Sequence, residues 1–343
     1  MKDRQTEQQP TPVPRARRGT KQAGEIHDRW SWVEQSVWTE RMLTALENGV
    51  KGGRWHSLMD KVYSWANLKS AFAKVKANKG GPGVDQQTIE MFEARLEENL
   101  CRLAEALRSG TYRPQAIKRV WIPKPGTSEK RPLGIPTVRD RVVQAALRTV
   151  LEPIYERGFA AHSYGFRPGR GCKDALRRVD ALLRQGYVFV VDADLKSYFD
   201  TIPHDQLMAR MRETVADNPV LALVDSFLRQ RIMDSLEGWT PEAGTPQGAV
   251  LSPLLSNIYL DPLDHLMAAH YLQMVRYADD FVILCQTEGE ALRALALVES
   301  WTAQAGLTLH PIKTRIVDAT AAGGFDFLGY ISRGPHVGPA PRA

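Results

Sequence analysis

Two adjacent carboxylates, Asp279 and Asp280, stand between two apolar runs, Leu272-Gln273-Met274-Val275-Arg276 and Phe281-Val282-Ile283-Leu284-Cys285. This pattern predicts a β-hairpin with Tyr277-Ala278-Asp279-Asp280 at its tip. Neighbouring carboxylates repel, and a divalent cation is the usual means of keeping both ionised. Clustered carboxylates on a rigid support are also what two-metal phosphoryl transfer requires. An isolated Asp-Asp in a hairpin is usually only a turn, so the chemistry depends on further acids. Asp194 is the first partner. It follows Tyr187-Val188-Phe189-Val190-Val191, an apolar run of β-formers that predicts a buried strand. The competing reading of Asp194 is a helix N-cap. Asp192 and Asp200 read equally well as capping or surface acids.

A second constellation is Gly244-Thr245-Pro246-Gln247-Gly248, a tight loop leading into the apolar segment from Ala249. Its glycines would let backbone approach a flat ligand closely; the plainer reading is a loop-to-helix junction. A third is basic. Residues 113–141 carry eight Lys or Arg against the acids Glu129 and Asp140. Within them, Val120-Trp121-Ile122-Pro123 and a turn-rich loop, Lys124 to Pro132, predict a β-hairpin that carries cations.

The elements that must position these groups follow from periodicity. Residues 28–110 are helical in pattern, with Trp38, Met42, Leu43 and Leu46, then Leu68, Ala71, Phe72 and Val75, at helical spacing. Gly80-Gly81-Pro82-Gly83 ends that second helix. Helical patterns recur over 89–107, 139–154, 172–183, 205–213, 219–231, 250–270 and 288–305. Gly324 to Tyr330 predicts an edge ribbon. The result is an α+β fold with a helix-rich N-terminal half.

Bulk properties narrow the classes. The 343 residues are 43% hydrophobic, with net charge +6, which permits a nucleic-acid partner without requiring one. Cys101, Cys172 and Cys285 lie far apart and have no metal-ligand spacing. They read as reduced thiols, and the expected location is cytoplasmic. No apolar run is long enough for a membrane span, and the N-terminus lacks a signal-peptide core.

In order, the motifs resemble those of reverse transcriptases, most closely the group II intron-encoded reverse transcriptase/maturase type. The resemblance covers roughly residues 35–330. The matching pieces begin with Gly80 to Asp85, Ile122-Pro123-Lys124, Lys130 to Pro136 and Ser163-Tyr164-Gly165-Phe166-Arg167-Pro168-Gly169-Arg170. They continue with Asp194 to Asp200, Thr245 to Gly248, Tyr277 to Asp280, Gly306-Leu307 with Lys313-Thr314, and Phe327-Leu328-Gly329.

The resemblance implies a right-hand polymerase: a disordered basic tail over 1–24, N-terminal extension and fingers over 25–183, a palm over 184–333 and an irregular tail over 334–343. The palm would be an antiparallel sheet backed by helices. Asp194, Asp279 and Asp280, with the backbone carbonyl of Leu195, would bind two Mg²⁺, with Mn²⁺ as the alternative. One ion would activate the primer 3′-hydroxyl and the other would stabilise the triphosphate leaving group. Lys124 and Arg131 match triphosphate contacts, Phe199 a gate against the ribose 2′-hydroxyl, and Gln247 the floor beneath the nascent base pair. Arg167 and Arg170 match template contacts, with capping or salt-bridge roles equally open, and Lys313 matches a lysine near the primer end. The implied partners are an RNA template (intron RNA), a DNA primer and dNTPs. Oligomeric state stays open.

One departure stands out. The chain ends shortly after Gly329, and Gly334 to Ala343 does not resemble the start of a helical thumb. The thumb is therefore expected to be missing, through a fragment, a frameshift or supply from elsewhere, and polymerisation to be weak. Two other roles remain open: a non-catalytic maturase that binds RNA, and a domesticated reverse transcriptase, as in phage defence.

Overall fold

Among the described residues, three β-sheets and the helices between them carry the acidic hairpin, the Asp194 strand and the strands of the basic hairpin. The computed structural model describes residues 26, 28–123, 126, 128–235, 237–321, 324–333 and 336–339, with backbone only for 331–333 and 336–339. The basic tail and Lys124 lie outside the described residues.

The strands in chain order are β1 (Ile117–Pro123), β2 (Lys130–Ile135), β3 (Phe189–Asp194), β4 (Ile232–Asp234), β5 (Glu237–Trp239), β6 (Gln273–Tyr277), β7 (Asp280–Cys285), β8 (Arg315–Asp318), β9 (Phe325–Phe327), β10 (Tyr330–Arg333) and β11 (His336–Pro339). They form sheets of order β2-β1-β4-β5, β6-β7-β3-β8 and β11-β10-β9. Pairing is antiparallel except between β1 and β4, which run parallel.

The helical half is organised around the helix Val138–Glu156, whose Thr137 cap accepts from Asp140 N at 3.2 Å. Most of this helix is buried, so its side chains meet neighbours on nearly every face. Trp38 Nε1 donates to Thr149 O at 2.9 Å, and Asn67 Nδ2 donates to Ala146 O at 3.0 Å. These bonds satisfy polar groups that would otherwise cost free energy in a dry interior. The helix Trp65–Asn78 packs beside it and stops before Gly80, as the sequence predicts.

The central sheet is covered on both faces. Val191, Ala193, Met274, Phe281, Ile283 and Cys285 point into the main core, with the helices Ser252–Ala269 and Glu288–Gln304. Val190, Val275, Val282 and Leu284 point the other way, against the helix Cys172–Arg184 and β9. This is period-two alternation with both sides buried.

Several predicted elements change. The strand expected at 187–191 runs on to Asp194, so Asp194 ends a strand and does not cap a helix. The helix expected over 219–231 stops at Leu228, and the β4–β5 hairpin follows. That hairpin completes the β1–β2 sheet, so a division at residue 184 cuts through one sheet. Residues 336–339, expected to be irregular, form β11 on the edge of β10, because main-chain pairing needs no apolar pattern.

Candidate active site

Register brings the acids together. Asp194 lies directly opposite Asp280 across the β3–β7 pair. Asp192 lies two residues before Asp194 and so projects from the same face. Asp192, Asp194 and Asp280 line one open cavity of about 550 Å³ with Lys313, Arg315 and Asp326. Asp279 lies in the two-residue turn between β6 and β7, half-buried and outside that lining.

Charge in this cavity is poorly balanced. Desolvation by the surrounding protein, then the charges of Asp192, Asp279 and Asp194, push the Asp280 carboxyl up to about 7. Burial raises Asp279 and Asp192 as well, with Asp194 adding to each. Two cations answer them. Lys313 Nζ lies 2.8 Å from Asp194 Oδ2, and Arg315 Nε lies 3.4 Å from Asp192 Oδ2. Lys313 thus touches an acid here, where the sequence reading expected it near a primer.

The donor set suits a hard divalent cation. Carboxylate oxygens are the ligands Mg²⁺ prefers, and an ammonium already sits where positive charge is favoured. Among the described residues no three His, Cys, Asp or Glu enclose an ion alone. Mg²⁺ commonly takes one or two carboxylates and fills its shell with water and substrate phosphate. The residues present therefore fit the group that the resemblance implies.

A buried network holds the turn. Arg276 is 0% exposed; its Nε donates to Asp264 at 2.8 Å, and its Nη2 donates to the same carboxylate at 2.6 Å. Its Nη1 donates to Asn257 Oδ1 at 3.0 Å and to Ala278 O at 2.7 Å. Asn257 Nδ2 in turn donates to Gly165 O at 2.9 Å. Ala278 adopts a left-handed φ of 59°, unfavourable for a residue with a side chain. A Cβ on Gly165 would lie 2.1 Å from Ala278 N. Helix, loop and turn thus lock one another, and Arg276, Asp264, Asn257 and Gly165 are residues that position the acids.

The remaining predicted residues fall into two groups. Phe199 is half-buried, edge-on to Phe166 at 6.4 Å, and its carbonyl accepts from Thr245 N at 2.7 Å. Gln247 O accepts from Gly134 N at 2.7 Å, joining the loop to β2, on which Arg131 is exposed. Leu195 is buried, with its backbone bridged to Leu309. Arg167 takes the salt-bridge role that the sequence left open. Its guanidinium is buried, pairs with Glu156 at 2.7 Å and donates to two carbonyls. Arg170 is half-buried, donates to Ala161 O and lies 5.8 Å from the Tyr164 ring centroid. The glycines of the 244–248 loop also serve a different end. At Gly244, φ +89°, a Cβ would meet Asp200 backbone at 2.8 Å; at Gly248, φ +99°, it would meet Gly134 O at 2.7 Å. They permit packing within the chain.

Three acids or cations at the cavity were not singled out as site residues from sequence. Asp192 had a signal, the i, i+2 spacing from Asp194 once both lie on a strand. Arg315 and Asp326 had none, because β8 and β9 reach the cavity through tertiary pairing.

Known proteins are similar in sequence to part of this chain. Protein YkfC of Escherichia coli K12 is 41% identical over 195 residues, which is 56% of this chain and 51% of that protein. The group II intron-encoded protein LtrA of Lactococcus lactis subsp. cremoris is 37% identical over 196 residues, 57% of this chain and 32% of that protein. The chain thus spans about half or less of the length of these relatives. A chain of a partial Cas6-RT-Cas1–Cas2 complex aligns at 27% identity with TM-score 0.46, covering 75% of this chain and 43% of its own. Residues 122–332 match the family described as reverse transcriptase (RNA-dependent DNA polymerase). That span runs from the cation-bearing hairpin to the last acid of the cavity, and with it the chain belongs to the reverse transcriptase family.

Proposed function

We propose that the chain carries the fingers and palm of an RNA-directed DNA polymerase of group II intron type. It would extend a DNA primer with dNTPs on an intron RNA template, in the service of intron mobility. The observation that carries this reading is the β3–β7 register, which sets Asp194 against Asp280 with Asp279 in the adjoining turn. Asp194, Asp279 and Asp280, with Leu195 O, would hold two Mg²⁺, which when bound supply charge neutralisation for the reacting hydroxyl and phosphates.

The chain's own residues do the rest. Arg131, exposed on β2, grips the triphosphate, where a planar guanidinium binds phosphate oxygens in pairs. Phe199, backed by Phe166, excludes a ribose 2′-hydroxyl. Gln247, tied to β2 through its carbonyl, supports the nascent pair. Lys313, 2.8 Å from Asp194, would lie near the primer end and offer its charge to the primer phosphate. Arg170 is retained as a template contact.

The test is primer extension on an RNA template with Mg²⁺ and dNTPs, comparing the chain with Asp279→Ala. Extension by the former alone is expected. Equal extension by both, or none from a folded wild-type chain, would refute the proposal. RNA-binding maturase activity without polymerisation is the second reading, favoured by the exposed basic fingers hairpin. Splicing assistance that survives Asp279→Ala would select it.

A further inference from the structure

A second cavity, of about 460 Å³, shares no lining residue with the acid cavity. That volume is typical of small-ligand sites. Its wall is one face of the β2-β1-β4-β5 sheet. Ile117, Arg119 and Trp121 alternate along β1, so their side chains share a face. Register extends the face: Trp121 pairs with Pro132, Ile117 with Ile232, and Ile232 with Trp239. The facing wall is the 241–247 loop with Asp200.

The chemistry of this face is specific. Trp121 and Trp239 are 48% and 38% exposed, although both stand on a regular sheet. Trp121 Nε1 donates to Asp234 Oδ2 at 2.9 Å, which fixes the indole. The Arg119 guanidinium lies 4.5 Å from the Trp239 ring centroid and 5.6 Å from that of Trp121. Among the described residues Arg119 makes these ring contacts and feels Asp200 across the cavity, with no hydrogen bond to its guanidinium. One indole fixed by a hydrogen bond, a second beside a guanidinium, and a cation with unused donors, at a cavity of this size, match a flat π-system that carries an adjacent negative charge. That is a nucleotide unit. Stacking on aromatic side chains with Arg nearby is how unpaired bases are gripped without sequence readout.

We propose that this cavity binds an unpaired base of single-stranded RNA, stacked against Trp239 and Trp121, with Arg119 on the neighbouring phosphate. The choice of RNA rests on the reading that RNA is the template. The 241–247 loop ends at Gln247, so an occupied cavity would brace the loop assigned to the nascent pair. The strand would thereby be held outside the acid cavity, beside the loop that supports the nascent pair.

The test titrates an end-labelled, unstructured RNA oligonucleotide with the full chain, read by fluorescence anisotropy over a range of KCl. Trp239→Ala is expected to weaken binding by about 5- to 150-fold, the range for loss of one base–aromatic stack. Its log affinity against log salt should keep the wild-type slope, because no phosphate contact is lost. Trp239→Phe should retain most of the affinity. Arg119→Gln should reduce the slope by about 0.7, one phosphate contact on a single strand. Binding by a folded Trp239→Ala within about twofold of wild type would overturn the proposal. Should Trp239→Ala fail to fold, thiouridine-substituted RNA is crosslinked to the wild-type chain. Adducts on residues 117–121 or 237–243 support the site, and adducts confined elsewhere overturn it. Repeating the titration in Asp279→Ala separates the two readings. RNA affinity that still depends on Trp239 stands even where primer extension fails.

Discussion

Arg276→Met tests how firmly the acid-bearing turn is held. The side chain that replaces Arg276 is similar in length and apolar, so the change removes donors more than volume. Asp264, 5% exposed at its side chain, loses a bidentate partner. Breaking such a buried pair from one side costs about 3–5 kcal/mol, because the remaining charge has no partner. Ala278 O and Asn257 Oδ1 each lose a donor, and an unsatisfied buried acceptor costs about 1–3 kcal/mol. Against a typical total stability of about 5–15 kcal/mol, the loss is large. Urea titration followed by circular dichroism reads it as a fall in midpoint. The double variant Arg276→Met/Asp264→Leu removes the stranded charge and should regain most of the stability. Primer extension should stay low in the double variant, since Ala278 O remains unanchored and the turn is free to leave φ 59°. A single variant that loses less than about 1 kcal/mol, or a double variant weaker than the single, would refute the account.

Other outcomes follow from the same cavity. Gly165→Ala places a methyl group 2.1 Å from Ala278 N, so a lowered Tm and lost extension are expected, measured by thermal melting and primer extension. Asp280 titrates at about 7 when folded and near 3.8 when unfolded. Between those values the folded chain holds more protons, so metal-free stability should fall as pH rises from about 4 to about 7. Melts in EDTA check this slope, and added Mg²⁺ should flatten it. Lys313→Gln should tighten Mn²⁺ binding in the absence of nucleotide, measured by calorimetry. The effect should be at most about fivefold, because the Lys313–Asp194 pair is substantially exposed.

Local pattern made part of this legible. The hairpin at 272–285 and the buried strand before Asp194 were readable because apolar runs bounded by turn residues leave few choices. The helices around 139–154 and 288–305 were readable because three-to-four spacing is strong there. Long-range pairing was not. Asp192 joins the cavity only once Asp194 is known to lie on a strand, and β8 brings Arg315 only by pairing with β3. Arg276 closes the apolar run before the turn, where a lone cation suggests exposure, yet it is fully buried because Asp264 lies on the helix behind it. Arg167 drew attention as a cation, and Glu156 captured it.

The β1–β4 pairing bears on how the chain is made. Ile117 finds its parallel partner only at Ile232, so the sheet of the basic hairpin stays incomplete until that stretch has left the ribosome. By then β3 has already emerged, while β7 and β8, its neighbours on both sides, have not. The strand that bears Asp192 and Asp194 therefore spends part of synthesis with two bare edges. Non-local pairing of this kind slows folding and exposes edges to aggregation. The two carboxylates, repulsive in the finished site, keep that waiting strand charged at one end, which is the kind of feature that discourages edge-to-edge association before the partners arrive.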